Sequence, residues 1–368
     1  MKIKANRKVV YKNCRVNGTI TDIEVADGIF TAIGHLDREG IDLGGNDVFP
    51  GLIDIHTHGA NGYSVYGVED AVIERNVQEV SLYLAKNGIT TWYPTTACSK
   101  DKLAYMLTLD FDSFKGANIP GIHLEGPYLS KNKAGAIDPD SMCSPHADDF
   151  ESYDKIKYVT VAPELDGALD YIKEMSGKVK ISVGHTCAGY ETTVNAIKNG
   201  ADCLNHTFNA MPPLHHREPG PIGAALDSGI YAEVICDGVH LHPSIVRMLY
   251  RAFGKERMIM VSDTVSGAGL PDGEFVAGNT RRFIKDGVIR NEAGNLAGSW
   301  CHLFEDVRRT VKMGIPREDV YYMATTTPAE YMGLNKGKIE VGYDADFIVV
   351  TENDELLKTV IAGEIFTE

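Results

Sequence analysis

The sequence predicts an α/β protein built as a (β/α)8 barrel, with a small β-rich domain formed by both chain termini. Three observations predict this architecture. Eight short β-rich runs alternate with helical patterns, polar residues stand at the ends of five of these runs, and both termini carry β-like runs separated by glycine turns. At 368 residues and 43% hydrophobic composition, the chain is long enough for one large domain and a minor one.

The eight predicted strands each end near a polar or glycine-rich turn. They are residues 51–58, 89–97, 119–126, 158–164, 179–185, 201–207, 230–238 and 258–264. Amphipathic stretches long enough to cross back over a barrel lie between several of them, at 69–86, 165–175, 190–198 and 243–253. An open Rossmann-type sheet is the structural alternative, but no predicted strand is followed by GxGxxG.

The two ends of the chain do not follow this alternation. Residues 1–48 and 339–368 contain β-like runs such as KVVYKNCRV, DGIFTAIG, DADFIVV and VIAGEIF. We therefore predict that both ends pair into one small domain and that residues 49–338 form the barrel. A glycine-punctuated stretch at 273–298, after the eighth strand, predicts a β-hairpin excursion from the barrel.

Charge and composition limit the expected partners and location. The formal net charge of -15 would repel nucleic acid and anionic lipid, so neither is an expected partner. Seven cysteines without a CxxC pair predict free thiols in a reducing compartment. The basic N-terminus lacks the apolar run of a signal peptide, and no segment approaches the roughly 20 apolar residues that span a bilayer. We therefore expect a cytoplasmic protein.

The first predicted strand, GLIDIHTHG, ends with two histidines. Period-2 alternation puts Asp54, His56 and His58 on one face, with Ile53 and Ile55 on the other. The HxH pattern alone is a weak signal, because it is common by chance in strands and loops.

Four further polar residues stand at the ends of the third, fifth, sixth and eighth strands: Glu125, His185, His206 and Asp263. A single histidine at a strand end is more often structural than a metal ligand. In a barrel, however, all these strand ends open on the face that carries catalytic groups. Their joint occurrence at corresponding positions therefore predicts a metal site.

Glu125, His185 and His206 form a three-ligand set. Three protein ligands leave a coordination position for water, and a bound metal lowers the pKa of that water from 15.7 to roughly 7. His56 and His58 either hold a second ion that Glu125 bridges to the first, or shape the pocket around one ion. The sequence therefore predicts one or two divalent ions per chain.

Asp263 has a separate predicted role as the general acid/base, because a carboxylate near activated water can take its proton and give it to a leaving nitrogen. A helix N-cap or a further metal ligand is the alternative. His123, two residues before Glu125, shares its face, and we expect it to pack behind the ligands or support them.

The motifs PGLIDIHTHG, HLEGPYL, VGHT, NHTFNAM, REPG, DGVH, VSDT and LAGS follow one another along nearly the whole chain. In these motifs the sequence resembles the N-acetylglucosamine-6-phosphate deacetylases of the amidohydrolase superfamily, and NHTFNAMPPLHHREPG and HLEGP are much more specific than HxH. The resemblance implies a (β/α)8 barrel with a small β-sandwich from both termini, a homodimer, and a phosphorylated amino-sugar substrate. The implied reaction is hydrolysis of N-acetylglucosamine 6-phosphate to glucosamine 6-phosphate and acetate, in amino-sugar catabolism or recycling.

The resemblance also implies residue roles at the metal site. The three-ligand set matches the main metal ligands of the family, and Asp263 matches its catalytic aspartate. His56 and His58 match the branch of the family that binds a second metal. The metal implied is zinc or iron.

Substrate contacts are implied for Asn209 and Ala210, through side chain or backbone amides, and for Arg217 and His240. The resemblance also suggests that Arg217 contacts the site of a neighbouring subunit. An acidic protein that binds a phosphorylated sugar needs a local cation, and arginine is a planar, permanently charged donor. Without the surrounding motif, a surface ion pair with Glu218 or another acidic residue would be equally expected.

One position departs from the pattern of the family. Where the family usually has KGAH or KGAQ, with the last residue near the acetamide of the substrate, this chain reads AGAIDPD and has Ile137. Isoleucine can neither polarise a carbonyl nor donate a hydrogen bond. Either a neighbour such as Asp138 compensates, or metal alone polarises the amide, or the preferred substrate differs.

Other functions remain to be weighed. A related amidohydrolase acting on N-acetylgalactosamine 6-phosphate or another N-acyl amino sugar would use the same metal ligands, whereas the REPG loop argues against a cyclic-amide hydrolase. A non-catalytic barrel that serves as an interaction scaffold would be expected to lose ligands or Asp263, and none of the six residues is missing.

Overall fold

A computed structural model describes residues 8–67, 69–96, 100–149, 154–277 and 280–367 of the chain. The first seven residues and the last residue of the predicted terminal domain lie outside the described residues, as does Cys98. Residue 97, the last of the second predicted strand, lies outside them too.

The N-terminal part of the chain forms the antiparallel strands β1 (Lys8–Val16), β2 (Thr19–Ala26) and β3 (Ile29–Gly34). Two-residue turns at Asn17–Gly18 and Asp27–Gly28 connect them, and all four turn residues have positive φ. Asn-Gly and Asp-Gly are the pairs that such tight hairpin turns favour. The short strands β4 (Ile41–Asp42) and β5 (Asp47–Pro50) then pair with β1.

The barrel follows. Its first strand is β6 (Leu52–Thr57), after which β7 (Gly59–Ala60) and β8 (Tyr63–Ser64) form a small hairpin. The other seven barrel strands are β9 (Ile89–Thr96), β10 (Ile122–Glu125), β11 (Ile156–Val161), β12 (Lys180–Val183), β13 (Cys203–Leu204), β14 (Tyr231–Ile235) and β15 (Met258–Val261). All eight strands are parallel and neighbour one another in chain order, which confirms the predicted (β/α)8 barrel.

The first and last barrel strands meet just beyond their ends. A parallel bridge joins Thr57 to Thr264, the His58 amide donates to the Thr264 carbonyl at 2.7 Å, and the Asp263 amide donates to the His56 carbonyl at 3.0 Å. This contact closes the barrel and brings the first and eighth strand ends together.

The helices surround the barrel and follow its strands. They are α1 (Asp70–Lys86), α2 (Lys100–Thr108), α3 (Ala168–Met175), α4 (Tyr190–Asn199), α5 (Gly220–Ser228), α6 (Pro243–Phe253), α7 (Leu303–Lys312), α8 (Arg317–Ala324) and α9 (Thr326–Met332). In α6, Val246, Leu249 and Phe253 are buried, which is the spacing of one helix face. The four predicted amphipathic helices correspond to α1, α3, α4 and α6.

The excursion after β15 has one strand more than the predicted hairpin. Strands β16 (Gly273–Ala277), β17 (Thr280–Lys285) and β18 (Val288–Asn291) form a three-stranded antiparallel sheet. The extra reversal is a two-residue turn at Asp286–Gly287, where both residues have positive φ. An Asp-Gly pair at this position favours a tight hairpin turn, so the chain folds back a second time.

The C-terminal strands β19 (Phe347–Val350), β20 (Leu356–Ile361) and β21 (Glu364–Ile365) join the N-terminal sheet where β19 pairs with β5. Both termini thus form one mixed sheet of eight strands. The rings of Phe30 on β3 and Phe347 on β19 lie 6.0 Å apart although several strands separate them in the sheet. The sheet therefore curls until its two halves pack against each other, as in a sandwich. Within the described part of the chain, no helix is long and apolar enough to cross a membrane.

Candidate active site

The five residues predicted as metal ligands lie together at the carboxyl ends of four barrel strands. His56 is in β6 and His58 follows it, Glu125 is the last residue of β10, and His185 and His206 each stand two residues beyond β12 and β13. All five are buried. The barrel brings them together because parallel strands deliver their carboxyl ends to one face.

Three of the site residues have a left-handed backbone conformation. The φ angles are 44° at His185, 21° at His206 and 52° at Asp263. Each of these residues follows the end of a short strand, so the chain turns sharply there and aims the side chain inward. Non-glycine residues in this region are unfavourable by about 1–3 kcal/mol each, and such residues cluster at functional sites.

Glu125 is the centre of the cluster. Its Oε1 atom lies 3.3 Å from His56 Nε2, 3.3 Å from His185 Nε2 and 3.1 Å from His206 Nε2. Its Oε2 atom lies 3.0 Å from His58 Nε2. Two groups of ligand atoms suited to a metal ion therefore share Glu125, one with His56 and His58 and the other with His185 and His206. The carboxylate is placed to bridge two ions.

The hydrogen bonds of the imidazole rings fit a bound cation. His58 Nδ1 lies 3.0 Å from the Thr95 carbonyl oxygen, and His185 Nδ1 lies 2.7 Å from the Lys133 carbonyl oxygen. Carbonyl oxygens only accept, so each Nδ1 carries the proton, and in a neutral ring Nε2 then presents a lone pair to Glu125. The Nε2 lone pairs and the Glu125 carboxylate repel one another at this distance unless a positive charge lies between them. A divalent metal ion would supply that charge.

Glu233 supports both ligand groups and was not predicted from the sequence. Its Oε2 atom lies 3.1 Å from His56 Nδ1 and accepts from the His206 backbone amide at 3.1 Å. The side chain is fully buried in β14. A carboxylate within the apolar run YAEVI was the available signal, since a buried acid needs a partner.

The electrostatics of the cluster are those of closely packed opposite charges. Burial lowers the pKa of His56, but the carboxylates of Glu125, Asp263 and Glu233 outweigh it and raise that pKa well above its usual value. Burial likewise raises the pKa of Glu125, but the neighbouring histidines, His56 above all, lower it well below its usual value. Glu125 is therefore ionised and available as a ligand at neutral pH.

Asp263 lies beside the ligands. Its Oδ1 atom is 3.3 Å from His58 Nε2 and 3.5 Å from His56 Nε2. Burial raises the pKa of this carboxyl, but the two histidines lower it to about 2. Asp263 is therefore ionised at neutral pH and can accept a proton from a water molecule in the site.

His123 packs beneath the cluster instead of joining it. Its Nε2 atom lies 2.8 Å from Thr160 Oγ1, and its Nδ1 atom lies 3.2 Å from Thr95 Oγ1. Burial, with His56 nearby, lowers the pKa of His123 well below its usual value, so its ring is neutral. Both ring nitrogens have hydroxyl partners, as expected of a residue that supports the ligands.

A cleft of about 170 Å³ opens above the cluster. Asn209, Ala210 and His240, three of the predicted substrate contacts, line it together with Asp263. His240 Nδ1 lies 2.7 Å from Asp237 Oδ2. Burial lowers the pKa of His240, but Asp237 outweighs it and raises that pKa above its usual value. His240 is thereby favoured as a cation facing the cleft.

Arg217, the fourth predicted substrate contact, lies apart from the cleft within one chain. It is exposed on the loop before α5, and its Nη1 atom is 2.6 Å from His216 Nε2. The predicted alternative, an ion pair with Glu218 or another acidic residue, is not among the ion pairs of the described residues. The guanidinium is therefore exposed and forms no ion pair among the described residues.

Ile137 lines the cleft beside Gly135 and Ala136. Asp138, suggested above as a compensating group, is directed elsewhere: its side chain accepts from the Asp140 amide at 3.0 Å and caps the following short turn. The loop thus presents an apolar surface to the cleft. Two polar residues that sequence analysis missed, Tyr66 and Arg282, also line the cleft.

Comparisons with known proteins agree with this architecture. The family model described as the amidohydrolase family matches residues 48–366. An N-acetylglucosamine-6-phosphate deacetylase from Vibrio furnissii is 34% identical over 364 residues, which cover 95% of this chain and 88% of that protein. An N-acetylgalactosamine-6-phosphate deacetylase from Escherichia coli O157:H7 is 28% identical, covering 93% of this chain and 94% of the other.

A solved structure extends the similarity to three dimensions. A mutant of the N-acetyl-D-glucosamine-6-phosphate deacetylase from Mycobacterium smegmatis, in complex with N-acetyl-D-glucosamine-6-phosphate, superposes with a TM-score of 0.89. It is 29% identical in sequence, and the match covers 97% of this chain and 99% of that chain.

Proposed function

Because the chain belongs to the amidohydrolase family, we propose that it hydrolyses the acetamide of N-acetylglucosamine 6-phosphate to glucosamine 6-phosphate and acetate. The chain is an amide hydrolase of amino-sugar metabolism. The observation that carries this function is Glu125 within reach of four histidines, with Asp263 beside them. A scaffold that had lost catalysis would have no need to keep the whole set converged and buried.

Metal ligation is the first task of these residues. Glu125, His185 and His206 would hold one divalent ion, zinc or iron, and His56 and His58 with Glu125 would hold a second. When bound, such an ion supplies positive charge that polarises the amide carbonyl and lowers the pKa of water. The hydrogen bonds of Nδ1 in His56, His58 and His185 keep the Nε2 atoms of these rings aimed at the ligand positions.

Asp263 moves the proton. Its ionised carboxylate accepts a proton from the attacking water and returns it to the amide nitrogen, so that the nitrogen leaves as a neutral amine. The C–N bond breaks, acetate is released, and the amino sugar remains. Because Asp263 follows β15 and its amide is fixed to the His56 carbonyl, the carboxylate is held beside the ligands throughout.

Asn209, Ala210 and His240 bind the sugar phosphate. They follow β13 and β14 and line the same cleft as Asp263. The pairing of His240 with Asp237 favours the charged imidazole, which attracts phosphate.

Arg217 completes the phosphate site of a neighbouring subunit in a homodimer. This assignment is supported by the exposed guanidinium on the loop before α5. A cytoplasmic location completes the proposal, supported by the unpaired thiols of Cys14, Cys203 and Cys236.

The decisive experiment measures acetate release by metal-loaded protein from N-acetylglucosamine 6-phosphate, its galactosamine epimer and unphosphorylated N-acetylglucosamine. We expect hydrolysis of the first with the highest kcat/KM and only weak hydrolysis of the third. Asp263→Asn serves as the matched inactive control. Absence of acetate release from every substrate, at full metal content, would refute the proposal.

The galactosamine epimer is the second candidate substrate, favoured by the similarity to the enzyme from Escherichia coli O157:H7. The metal ligands and Asp263 would serve both epimers, which differ at one hydroxyl group. A kcat/KM for the galactosamine epimer above that for the glucosamine compound would assign the chain to this second function.

A further inference from the structure

Arg282 is a buried cation in the cleft that the proposed reaction does not use. It lies on β17, lines the cleft, and is 2% exposed. Its Nη2 atom donates to the Tyr66 hydroxyl oxygen at 2.8 Å, and its Nη1 atom donates to the Ala297 carbonyl at 3.1 Å. Its Nε atom is buried and has no hydrogen-bond partner among the described residues.

No carboxylate of the described residues forms an ion pair with Arg282. A buried guanidinium with an unused donor is unfavourable unless a ligand or water supplies an acceptor, because the lost hydration is not replaced. Its neighbour Arg281 differs in exposure and in having an ion-pair partner. Arg281 is exposed on the opposite face of β17 and pairs with Glu274 at 3.1 Å.

Tyr66 has a free donor as well. Because its oxygen accepts from the guanidinium, its own O–H bond can point elsewhere, and the charge of Arg282 strengthens it as a donor. The Tyr66 ring packs edge-on against His58, with centroids 5.1 Å apart. The pair of Tyr66 and Arg282 therefore borders the metal ligands directly.

The topology indicates which part of the substrate faces this pair. The reacting amide must lie at Asp263 and the ligands, and the sugar phosphate extends towards Asn209 and His240, which follow β13 and β14. Tyr66 follows β6, and Arg282 belongs to the excursion after β15. Strands β6 and β15 are neighbours where the barrel closes. With the phosphate directed towards β13 and β14, the acyl end of the amide is expected to face Tyr66 and Arg282.

Resting on the proposed function, we propose that Arg282 and Tyr66 form an acyl-group subsite, and that the enzyme accepts N-acyl groups that carry an acceptor oxygen beyond the amide carbonyl, in addition to acetyl. A hydroxyl or carboxylate oxygen on the acyl carbon chain accepts from the Tyr66 hydroxyl and is attracted by the positive charge of the Arg282 guanidinium behind it. The reaction is unchanged: water adds to the carbonyl carbon, the C–N bond breaks, and the amine and the hydroxy or dicarboxylic acid are released.

The test compares N-glycolyl, N-malonyl and N-propionyl glucosamine 6-phosphate as substrates of the full-length, metal-loaded protein. Glycolyl and propionyl have the same number of heavy atoms and differ in the hydroxyl group. We expect a kcat/KM for glycolyl about ten- to a hundredfold above that for propionyl. A malonyl value above the glycolyl value would identify the favoured oxygen as a carboxylate, and the reverse would identify a hydroxyl.

Variants then assign the preference to the pair. Arg282→Met should reduce the glycolyl-to-propionyl ratio to within about threefold of one, and Tyr66→Phe should lower it while keeping the ring on His58. Arg281→Met is the matched control and should leave the ratio unchanged. The ratio is measured on one preparation, so it does not depend on the folded fraction, and Tyr66→Phe decides if Arg282→Met does not fold.

A glycolyl-to-propionyl ratio near one in the wild-type protein would overturn the acyl subsite. So would a glycolyl preference that persists in Arg282→Met, or in Tyr66→Phe if Arg282→Met does not fold. These results would leave the proposed function intact as long as acetate is released from N-acetylglucosamine 6-phosphate. Absence of hydrolysis of every N-acyl compound would instead refute the proposed function itself.

Discussion

The Nε2 atoms of His185 and His206 lie 2.9 Å apart, and both face the same oxygen of Glu125. His185 has its proton on Nδ1, held by the Lys133 carbonyl. Two imidazole nitrogens and a carboxylate oxygen converge on one point, which is the arrangement of ligands around a shared cation.

Purified protein should therefore contain about one to two divalent ions per chain, measured by elemental analysis. His185→Asn should lose metal and activity together, whereas His56→Asn should lose mainly the second ion. His35→Asn, at an exposed position, is the control and should change neither. Active protein with less than about 0.1 equivalent of metal, insensitive to chelators, would rule out metal catalysis.

Asp263→Asn should bind metal normally and lose at least ~10²-fold in kcat, because asparagine keeps the size of the side chain but cannot carry the proton. KM should change little. The measurement is steady-state kinetics on protein of known metal content. If the variant keeps more than about a third of wild-type kcat, the proton is carried by another group, and His240 becomes the leading candidate.

Arg217→Ala should raise KM for the 6-phosphate and lower kcat/KM about ten- to a hundredfold, with little effect on the unphosphorylated sugar. A mixing experiment tests whether Arg217 acts across a dimer. A mixture of Arg217→Ala and Asp263→Asn subunits would form mixed dimers with one intact site, recovering about a quarter of wild-type activity per chain. No recovery after subunit exchange would place Arg217 outside the neighbouring site.

The affinity for phosphate should depend on pH through His240. Asp237 raises the pKa of this imidazole, so its charge is fully present below the ordinary value of about 6.5 and is lost as pH rises through the raised value. KM for the phosphorylated substrate should therefore increase above that pH. In Asp237→Asn, which retains an acceptor for the backbone amides, the increase should begin at lower pH. An unshifted profile would show that His240 does not bind phosphate.

The barrel could be predicted from the sequence because each strand carries local signals: a β-rich run, a polar end and a following turn. Several strands of the structure are shorter than predicted, as for β13, which comprises only Cys203–Leu204. The residues after it, including His206, leave the strand geometry to aim side chains into the cleft. Some polar residues that helped to predict the strands, such as His206, thus lie just beyond the strands in the structure.

The proximity of the five candidate ligands was predictable because the ends of parallel barrel strands lie together on one face of the barrel. Glu233, Tyr66 and Arg282 were not, because their contacts depend on distant parts of the chain. Tyr66 and Arg282 are 216 positions apart and meet through the excursion after β15. The third strand of that excursion was missed for a local reason, since the Asp286–Gly287 turn lies within a stretch already rich in glycine.

The left-handed backbone at His185, His206 and Asp263 gives these positions opposite requirements for catalysis and for stability. Glycine would adopt the same φ angles without steric conflict, and asparagine would adopt them more readily than most residues. A library of variants at these three positions, selected only for thermal resistance, should therefore be enriched in glycine or asparagine. The selected variants should have lost hydrolytic activity. Thermal resistance and catalytic turnover are therefore expected to favour different residues at these three positions.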